Sequence, residues 1–350
     1  MKSFKTIFAL LLVSIILPSC SKTEENVPLT LPIQQIDVDN IARPASLINQ
    51  EIPFKVVTAD GTDVTSISTF YVDGQQITGS IFSSSVIGDF EVYAEYEDNG
   101  TLIVTNTESF SVIIPKQKIV VEDYTGTWCG FCPRVTAAIH ELEQVTDDIV
   151  VVAIHETAAS FPDPMHFPQV QILKNAFNVQ GFPAARINRD QNWASPHPTT
   201  DVTSIAGVDT DLAISINSEL NGSQLQLQVN VVYEQGSVMG DKLVVYLVED
   251  GILYDQVNYY NADPTSPYYQ QGNVIPNFVH NDALRHSFTG VLGDPIADTA
   301  ALTEYIASYN FDIPADYNVN NLEIVAMVVD SNNNAKNGQY AHVGELEPYE

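Results

Sequence analysis

Cys129 and Cys132 stand two residues apart in the run Trp128-Cys129-Gly130-Phe131-Cys132-Pro133, and the 350-residue chain has one further cysteine, Cys20. A thiolate is a strong nucleophile, and a thiol pair at this spacing closes a disulfide in an oxidising compartment. The chemistry on offer is therefore thiol–disulfide exchange. The setting is more informative than the spacing. The pair falls where a strand pattern over 118–124 (KIVVEDY) ends and an amphipathic helix pattern over 130–145 begins, with Val135, Ala138, Ile139, Leu142 and Val145 on one face. At a helix N-terminus the unpaired N–H groups and the macrodipole favour a thiolate on Cys129. Cys132, one turn in and more buried, is placed to resolve a mixed disulfide. A zinc site needs two more ligands, and there is no second cysteine pair and no His at ligand spacing. No metal and no cofactor are expected.

Two further features belong with the pair. Asp123 lies six residues before Cys129 on the strand beneath the helix, where a buried carboxylate would relay protons with Cys132. The alternative is a surface acid at the strand end, with Glu122 as the inward residue. Val179-Gln180-Gly181-Phe182-Pro183 comes after a second helix pattern over 168–177 and before a strand over 184–188. Only ~5–6% of X-Pro bonds are cis, so the context of this proline matters more than its type. At that junction it resembles the cis-proline of thioredoxin-like proteins, which lies against the disulfide and offers backbone to a bound peptide. Asp123, the Trp128–Cys132 run and Gly181-Phe182-Pro183, in strand–helix–strand–helix–strand order, resemble the thioredoxin-like superfamily over residues 116–207, about a quarter of the chain. The resemblance implies a site in which Cys129 attacks, Cys132 resolves and Asp123 moves the proton, with Trp128, Phe131, Phe182 and Pro183 against the substrate. Thioredoxin usually carries Pro between its cysteines. Gly130-Phe131 departs from that, and by analogy an aromatic there suits an oxidising or shuffling couple. Pro133 falls in the first helical turn, where its missing N–H costs little. The segment from Ala184 to Gly207 is short, so the last strand and helix of a full thioredoxin fold are expected to be trimmed.

Other candidates carry less. His155, Glu156 and His166 follow the apolar strand run 149–154 at the end where the cysteine pair should lie, and a His there would assist thiolate formation. Loop hydrogen bonding is the simpler role for them. Residues 330–338 (DSNNNAKNG) resemble a calcium loop only superficially, since Ala335 and Ala341 occupy the positions that need Gly and Glu. A hairpin tip is expected instead. His280-Asn281-Asp282 and Arg285 suggest no mechanism, and Trp193, Tyr259 and Tyr260 read as core or rim packing rather than carbohydrate stacking.

The elements that hold this site sit in an acidic, exported chain. Fourteen Lys plus Arg stand against 44 Asp plus Glu, a net charge of −30. That balance argues against nucleic acid, whose affinity rests on cations neutralising phosphates, and against anionic membrane faces. Residues 1–19 read as a secretory signal, with Lys2 and Lys5 before an apolar run over 7–16 that is too short to span a bilayer. Leu17-Pro18-Ser19-Cys20 resembles the lipobox of bacterial lipoproteins, which makes Cys20 the lipidated first residue. Ser21 after it resembles outer-membrane sorting, while Glu24 and Glu25 suit either a surface-export cue or a solvated tether. Residues 20–32 then form the lipidated Cys and a linker.

Residues 33–115 alternate in short strands punctuated by Asp60-Gly61, Asp73-Gly74 and Asn99-Gly100, and resemble a bacterial Ig-like β-sandwich. Residues 116–207 form the α/β layer. Residues 208–350 return to strands, as in 224–233, and suggest a C-terminal β-sandwich with a Tyr- and Asn-rich excursion near 259–278. The expected class is multidomain α+β. As a whole, the lipobox, the approach Tyr124-Thr125-Gly126-Thr127-Trp128-Cys129 and the trailing β-rich half resemble the twenty-eight-kilodalton outer-membrane-protein-related lipoprotein family. That implies a lipoprotein of the outer membrane, facing the periplasm or the cell surface and held there by lipid on Cys20. Two functions fit. In one, the pair exchanges disulfides with exported proteins. In the other, the chain is a surface binding or structural lipoprotein with an unknown ligand, and its disulfide is a clip.

Overall fold

Period-two alternation and glycine turns build the N-terminal module. The computed structural model describes the backbone of residues 33–38 and the whole of residues 45–350. The expected signal over 1–19, the lipidated Cys20 and the linker to residue 32 lie outside the described residues. A six-stranded sheet runs in the order Ala45–Leu47, Glu108–Ile113, Gly88–Asp98, Thr69–Val72, Gln75–Gln76, with Thr101–Val104 paired to Gly88–Asp98. Ile33–Val38, Ile52–Thr58 and Ile81–Phe82 form a three-stranded sheet. Ile52, Phe54 and Val56 alternate inward and share one core with Phe70, Val92 and Phe110. The Asp73-Gly74 and Asn99-Gly100 turns hold both residues at positive φ, 47° and 73° in the first and 48° and 81° in the second. Tight hairpins need that geometry, and Gly and Asn or Asp adopt it at least cost.

The α/β layer begins with the central strand Ile119–Thr125, every residue of which is buried. Its parallel neighbour, Ile149–His155, is buried throughout as well, as its uninterrupted apolar run requires of a strand covered on both faces. The two pair in register from Ile119↔Ile149 to Thr125↔His155. On the other side the central strand pairs antiparallel with Ala184–Ile187, and that strand with Gln191–Trp193. The disulfide helix, Pro133–Glu143, turns Val135, Ala138, Ile139 and Leu142 onto Ile119, Val121, Ile149 and Val151. It starts later than the amphipathic pattern suggests, because Pro133 occupies its first turn and Cys132 caps it. Val145 falls beyond its end and is 60% exposed. A second helix, Val170–Ala176, lies on the opposite face. A three-residue strand, Gln191–Trp193, and a four-residue helix, Thr200–Thr203, close the layer. Trp193 is core, its indole N–H donating to the Pro198 carbonyl at 3.1 Å.

The remaining strands do not stand apart from this layer. Ile149–His155 pairs in parallel with Ala283–Ser287 through Ala153↔Ala283, and the sheet continues through Lys242–Glu249, Leu322–Val329 and Ala335–His342 to a total of nine strands. The expectation of a separate sandwich over 208–350 is corrected in this respect: one of its two sheets is an extension of the α/β sheet. Alternate residues of the shared strands serve two cores. Leu243, Val245 and Leu247, with Ile324, Ala326 and Val328, pack on the four-stranded sheet of Leu212–Asn221, Gln224–Tyr233, Glu304–Asp312 and Leu346–Glu347. Val244, Tyr246 and Val248, with Val325, Met327 and Val329, pack on Val120, Tyr124, Val150, Val152 and Ile154 and on the second helix. The sheet thus folds back on itself. Gly338 marks the closest approach, where a Cβ would lie 3.1 Å from methyls of Val120 and Val150. Residues 330–338 form a hairpin tip, with Asp330 Oδ1 accepting from the N–H groups of Asn332 and Asn334.

The architecture is therefore mostly β and multidomain, with few and short helices. Among the described residues no helix is long and apolar enough to cross a membrane.

Candidate active site around the Cys129–Cys132 disulfide

Glycine and a caught indole shape the turn that carries the cysteines. Gly126 allows the Trp128 ring to lie against it, since a Cβ there would sit 2.7 Å from Nε1. The Trp128 Nε1–H donates to the Glu156 carbonyl at 2.7 Å. The turn then winds through Cys129 N–H to the Gly126 carbonyl (2.9 Å) and Cys132 N–H to the Cys129 carbonyl (3.1 Å). Cys129 and Cys132 form a disulfide, with their Cα atoms 5.4 Å apart. Cys132 is the helix cap, and Cys129 precedes it by a turn. The helix end therefore sits one turn later than the sequence suggests, with Cys132 rather than Cys129 at its terminus. Both are buried, at 5% and 1% exposure, whereas Phe131 between them is 48% exposed.

The paired acids of the central strand point to opposite faces, as strand geometry requires. Glu122 is paired with Arg189 at 2.8 Å and accepts from the Tyr124 hydroxyl at 2.9 Å, with both ionic side chains wholly buried. Arg189 also donates to the Tyr246 hydroxyl at 2.8 Å. Asp123 faces the disulfide helix and lines a small cavity with Thr136 and Ile139, which lie about one and two turns beyond Cys132. It is buried, and its Oδ1 has no hydrogen-bond partner in the protein. Loss of solvent pushes its carboxyl up to about 8. Of the two carboxylates it is the one free to exchange a proton near neutrality.

The Phe182-Pro183 peptide is cis. Phe182 stacks on Trp128 with ring centroids 5.8 Å apart, and Lys174 Nζ lies 5.2 Å from the Phe182 ring. Trp128, Phe182 and Pro183 are half-buried and form one flank of the disulfide turn.

The other flank is made by the hairpin of Ile252–Val257 and Val274–His280, distant in sequence. Val257 N–H donates to the Thr127 carbonyl at 2.8 Å and Tyr259 N–H to the Gly130 carbonyl at 2.9 Å. The Gln256 amide donates to the Cys129 carbonyl at 3.0 Å. Tyr259 itself lies over the turn, its ring 5.0 Å from that of Phe131, and a Cβ on Gly130 would fall 2.4 Å from the ring. Tyr259 is thus neither core nor rim packing but part of the site. Tyr260 packs with Tyr268, Ile275 and Phe278.

His155 and Glu156 reach the site by different means. His155 Nδ1 is 2.9 Å from Asp163 Oδ2, both buried, and Asp163 also accepts from Thr127 N–H at 2.8 Å. Burial pushes the Asp163 carboxyl up, but its hydrogen bond and charge interaction with His155, with those from Thr127 and Met165, outweigh it and hold it below the usual range. Glu156 holds Trp128 through its carbonyl while its carboxylate pairs with Lys174 at 2.6 Å. His166 accepts from Thr157 N–H at 3.2 Å in an exposed loop. Asp163, Gln256 and Tyr259 were not legible as neighbours of the cysteine turn, because no spacing ties them to the cysteines. Among the described residues no group of His, Cys, Asp and Glu is arranged to hold a metal ion.

Comparison with known proteins agrees with this geometry. Residues 101–201 match the thioredoxin family, and residues 170–347, just over half the chain, match the family described as outer membrane protein Omp28. This chain belongs to the Omp28 outer-membrane-protein family. The same chain carries a thioredoxin domain. Thioredoxin of Gallus gallus is 33% identical over 73 residues, covering 20% of this chain and 70% of thioredoxin. That of Ophiophagus hannah is 31% identical over 72 residues, covering 19% and 69%. Among solved structures, HBP35 of Porphyromonas gingivalis superposes with a TM-score of 0.51 at 16% identity, over 67% of this chain and 77% of that one, which shows a shared fold. The two family matches overlap on residues 170–201. That overlap contains the second helix, whose Val170 and Leu173 lie in the core shared by both halves of the folded sheet.

Proposed function

We propose that this Omp28-family protein is an exported lipoprotein of the outer membrane, anchored through Cys20, whose thioredoxin domain exchanges disulfides with the thiols of exported proteins. In this reading residues 33–115 are an Ig-like spacer. The observation that carries it is the Cys129–Cys132 disulfide at the cap of the disulfide helix, with the unpartnered, buried Asp123 on the strand beneath. In the oxidised state a substrate thiolate attacks Cys129 Sγ and breaks the Cys129–Cys132 bond. Cys132 leaves as a thiolate and takes a proton from Asp123, which is a neutral acid below about pH 8. A second substrate thiolate then attacks the substrate sulfur of the mixed disulfide and releases the Cys129 thiolate. The substrate gains a disulfide and the Cys129–Cys132 pair gains its two electrons. Trp128 precedes the attacked Cys129, the exposed Phe131 stands between the two cysteines, and Phe182-Pro183 sits beside Trp128 to align the substrate backbone.

A second reading has its own support. Both sulfurs are buried and Tyr259 lies over the turn, which suits a structural clip in a surface binding protein. The reduction potential decides, measured by thiol alkylation across a glutathione series on the chain from Ser21 onward. A value between about −120 and −270 mV marks a working couple, and a Cys132→Ser variant should then trap mixed disulfides. A value below about −300 mV, or reduction only in denaturant, marks a clip and ends the redox reading.

A further inference from the structure

Between the disulfide helix, the two central parallel strands and the C-terminal hairpin lies a cavity of about 30 Å³, lined by Asp123, Thr136, Ile139 and His280 among others. Its titratable lining groups are Asp123, His140, His155, His280 and Asp282. Two buried polar atoms in this lining have no hydrogen-bond partner, Asp123 Oδ1 from the central strand and His280 Nε2 from the hairpin. Buried polar atoms left alone are costly, and native proteins satisfy them with protein groups or ordered water. A cavity of this size holds one water. His140, on the rim, is exposed, so the cavity has a route to solvent.

We propose that His280 fixes a water molecule in this cavity that hydrogen-bonds Asp123, making His280 a positioning residue for the proton exchange between Asp123 and Cys132. The inference rests on the redox reading above and extends its site into the C-terminal half. The protonation states fit the arrangement. Burial drives the His280 ring down to about 4, helped by the neighbouring His155, while the charge of Asp163 and the hydrogen bond to the Tyr254 backbone work against the fall. At neutral pH Nε2 is therefore a lone-pair acceptor, and the Asp123 carboxylic acid is a donor. One water accepts from the acid and donates to the imidazole. When Asp123 gives its proton to the Cys132 thiolate, the same water turns to donate to the new carboxylate. The lost proton returns from solvent through it. His155 faces the His280 ring edge to face at 5.4 Å and is itself held by Asp163, so the imidazole cannot swing away easily.

The test is the pH profile of disulfide reduction by dithiothreitol in the full chain, with rates divided by the thiolate fraction of the reagent. The parent should show a midpoint near 8 that belongs to Asp123 and is absent from Asp123→Asn. His280→Leu removes the acceptor and with it the water that stabilises the carboxylate, so the midpoint should rise by about one unit. His280→Gln, which still binds water, should stay close to the parent and serves as the readout if the Leu variant does not fold. In the Asp123→Asn background His280→Leu should change nothing further. An unmoved midpoint in His280→Leu, or in the Gln variant a shift as large as that expected for Leu, overturns the inference. So does an equal effect of His280→Leu with Asp123 absent. A disulfide that dithiothreitol does not reduce in the native chain ends the redox reading itself and this inference with it, whereas a reducible pair indifferent to His280 ends the inference alone.

Discussion

Asp123 and Glu122 are neighbours of the same chemistry whose environments separate their roles. Glu122 is neutralised by Arg189, so removing one partner strands a buried charge. Arg189→Met should cost ~3–5 kcal/mol, and adding Glu122→Gln should recover part of it, both read by urea denaturation. Asp123 has no cation. Its carboxyl titrates at about 8 in the fold against 3.8 for the ordinary side chain. The native state therefore holds the proton that the unfolded chain has already lost over this window. Stability from this group is full below about pH 4 and falls as pH rises toward 8, at up to ~1.4 kcal/mol per unit. Asp123→Asn should flatten that fall, so its advantage over the parent should grow from pH 5 to pH 8 by a few kcal/mol (~1.4 per unit as the upper limit). An advantage that does not grow would mean the carboxyl is solvated. The cysteine pair and Asp123 were legible from residue type and spacing alone, but which of the two acids faced the disulfide helix was not. Both lie on a strand buried on both faces, so hydropathy could not choose between them.

At the scale of elements, the turn at Trp128–Cys132 follows from local chemistry, with glycine where the indole and Tyr259 press close and proline where the helix begins. The strap over it does not. Tyr259 arrives with a hairpin from about 130 residues later in the sequence, where Val257 N–H donates to the Thr127 carbonyl and Tyr259 N–H to the Gly130 carbonyl. Tyr259→Ala should speed reduction of the disulfide by up to about tenfold, since an aromatic pair contributes ~0.5–1.5 kcal/mol beyond its buried area. Gly130→Ala should act in the same direction by forcing the ring away, with faster proteolysis in 258–273 as the independent check. If neither variant changes the rate, the ring does not restrict access. The helix boundaries differed from the periodic pattern by a few residues, because Pro133 suits the first helical position and the helix starts there rather than at Gly130.

For the whole molecule, the decisive feature is one sheet serving two units. Val120, Tyr124, Val150, Val152 and Ile154 are covered by residues of strands beyond position 240. Each such side chain left in water forfeits ~1.5–3 kcal/mol. A fragment of residues 116–207 should therefore fail to give a cooperative thermal transition, while residues 116–350 should melt as one unit in calorimetry. A fragment of 116–207 that folds well would show that the shared core is dispensable. The sequence by itself determined the strands, the turns, the cysteine pair at a strand-to-helix junction and the acidic character, because these rest on periodicity, local conformational preference and composition. Only the tertiary structure decided that the C-terminal strands extend the thioredoxin sheet, and that Gln256 and Tyr259 reach the cysteine turn. Pairing between strands a hundred residues apart leaves no periodic trace. An apolar run buried on both faces records that it is covered, but not by what.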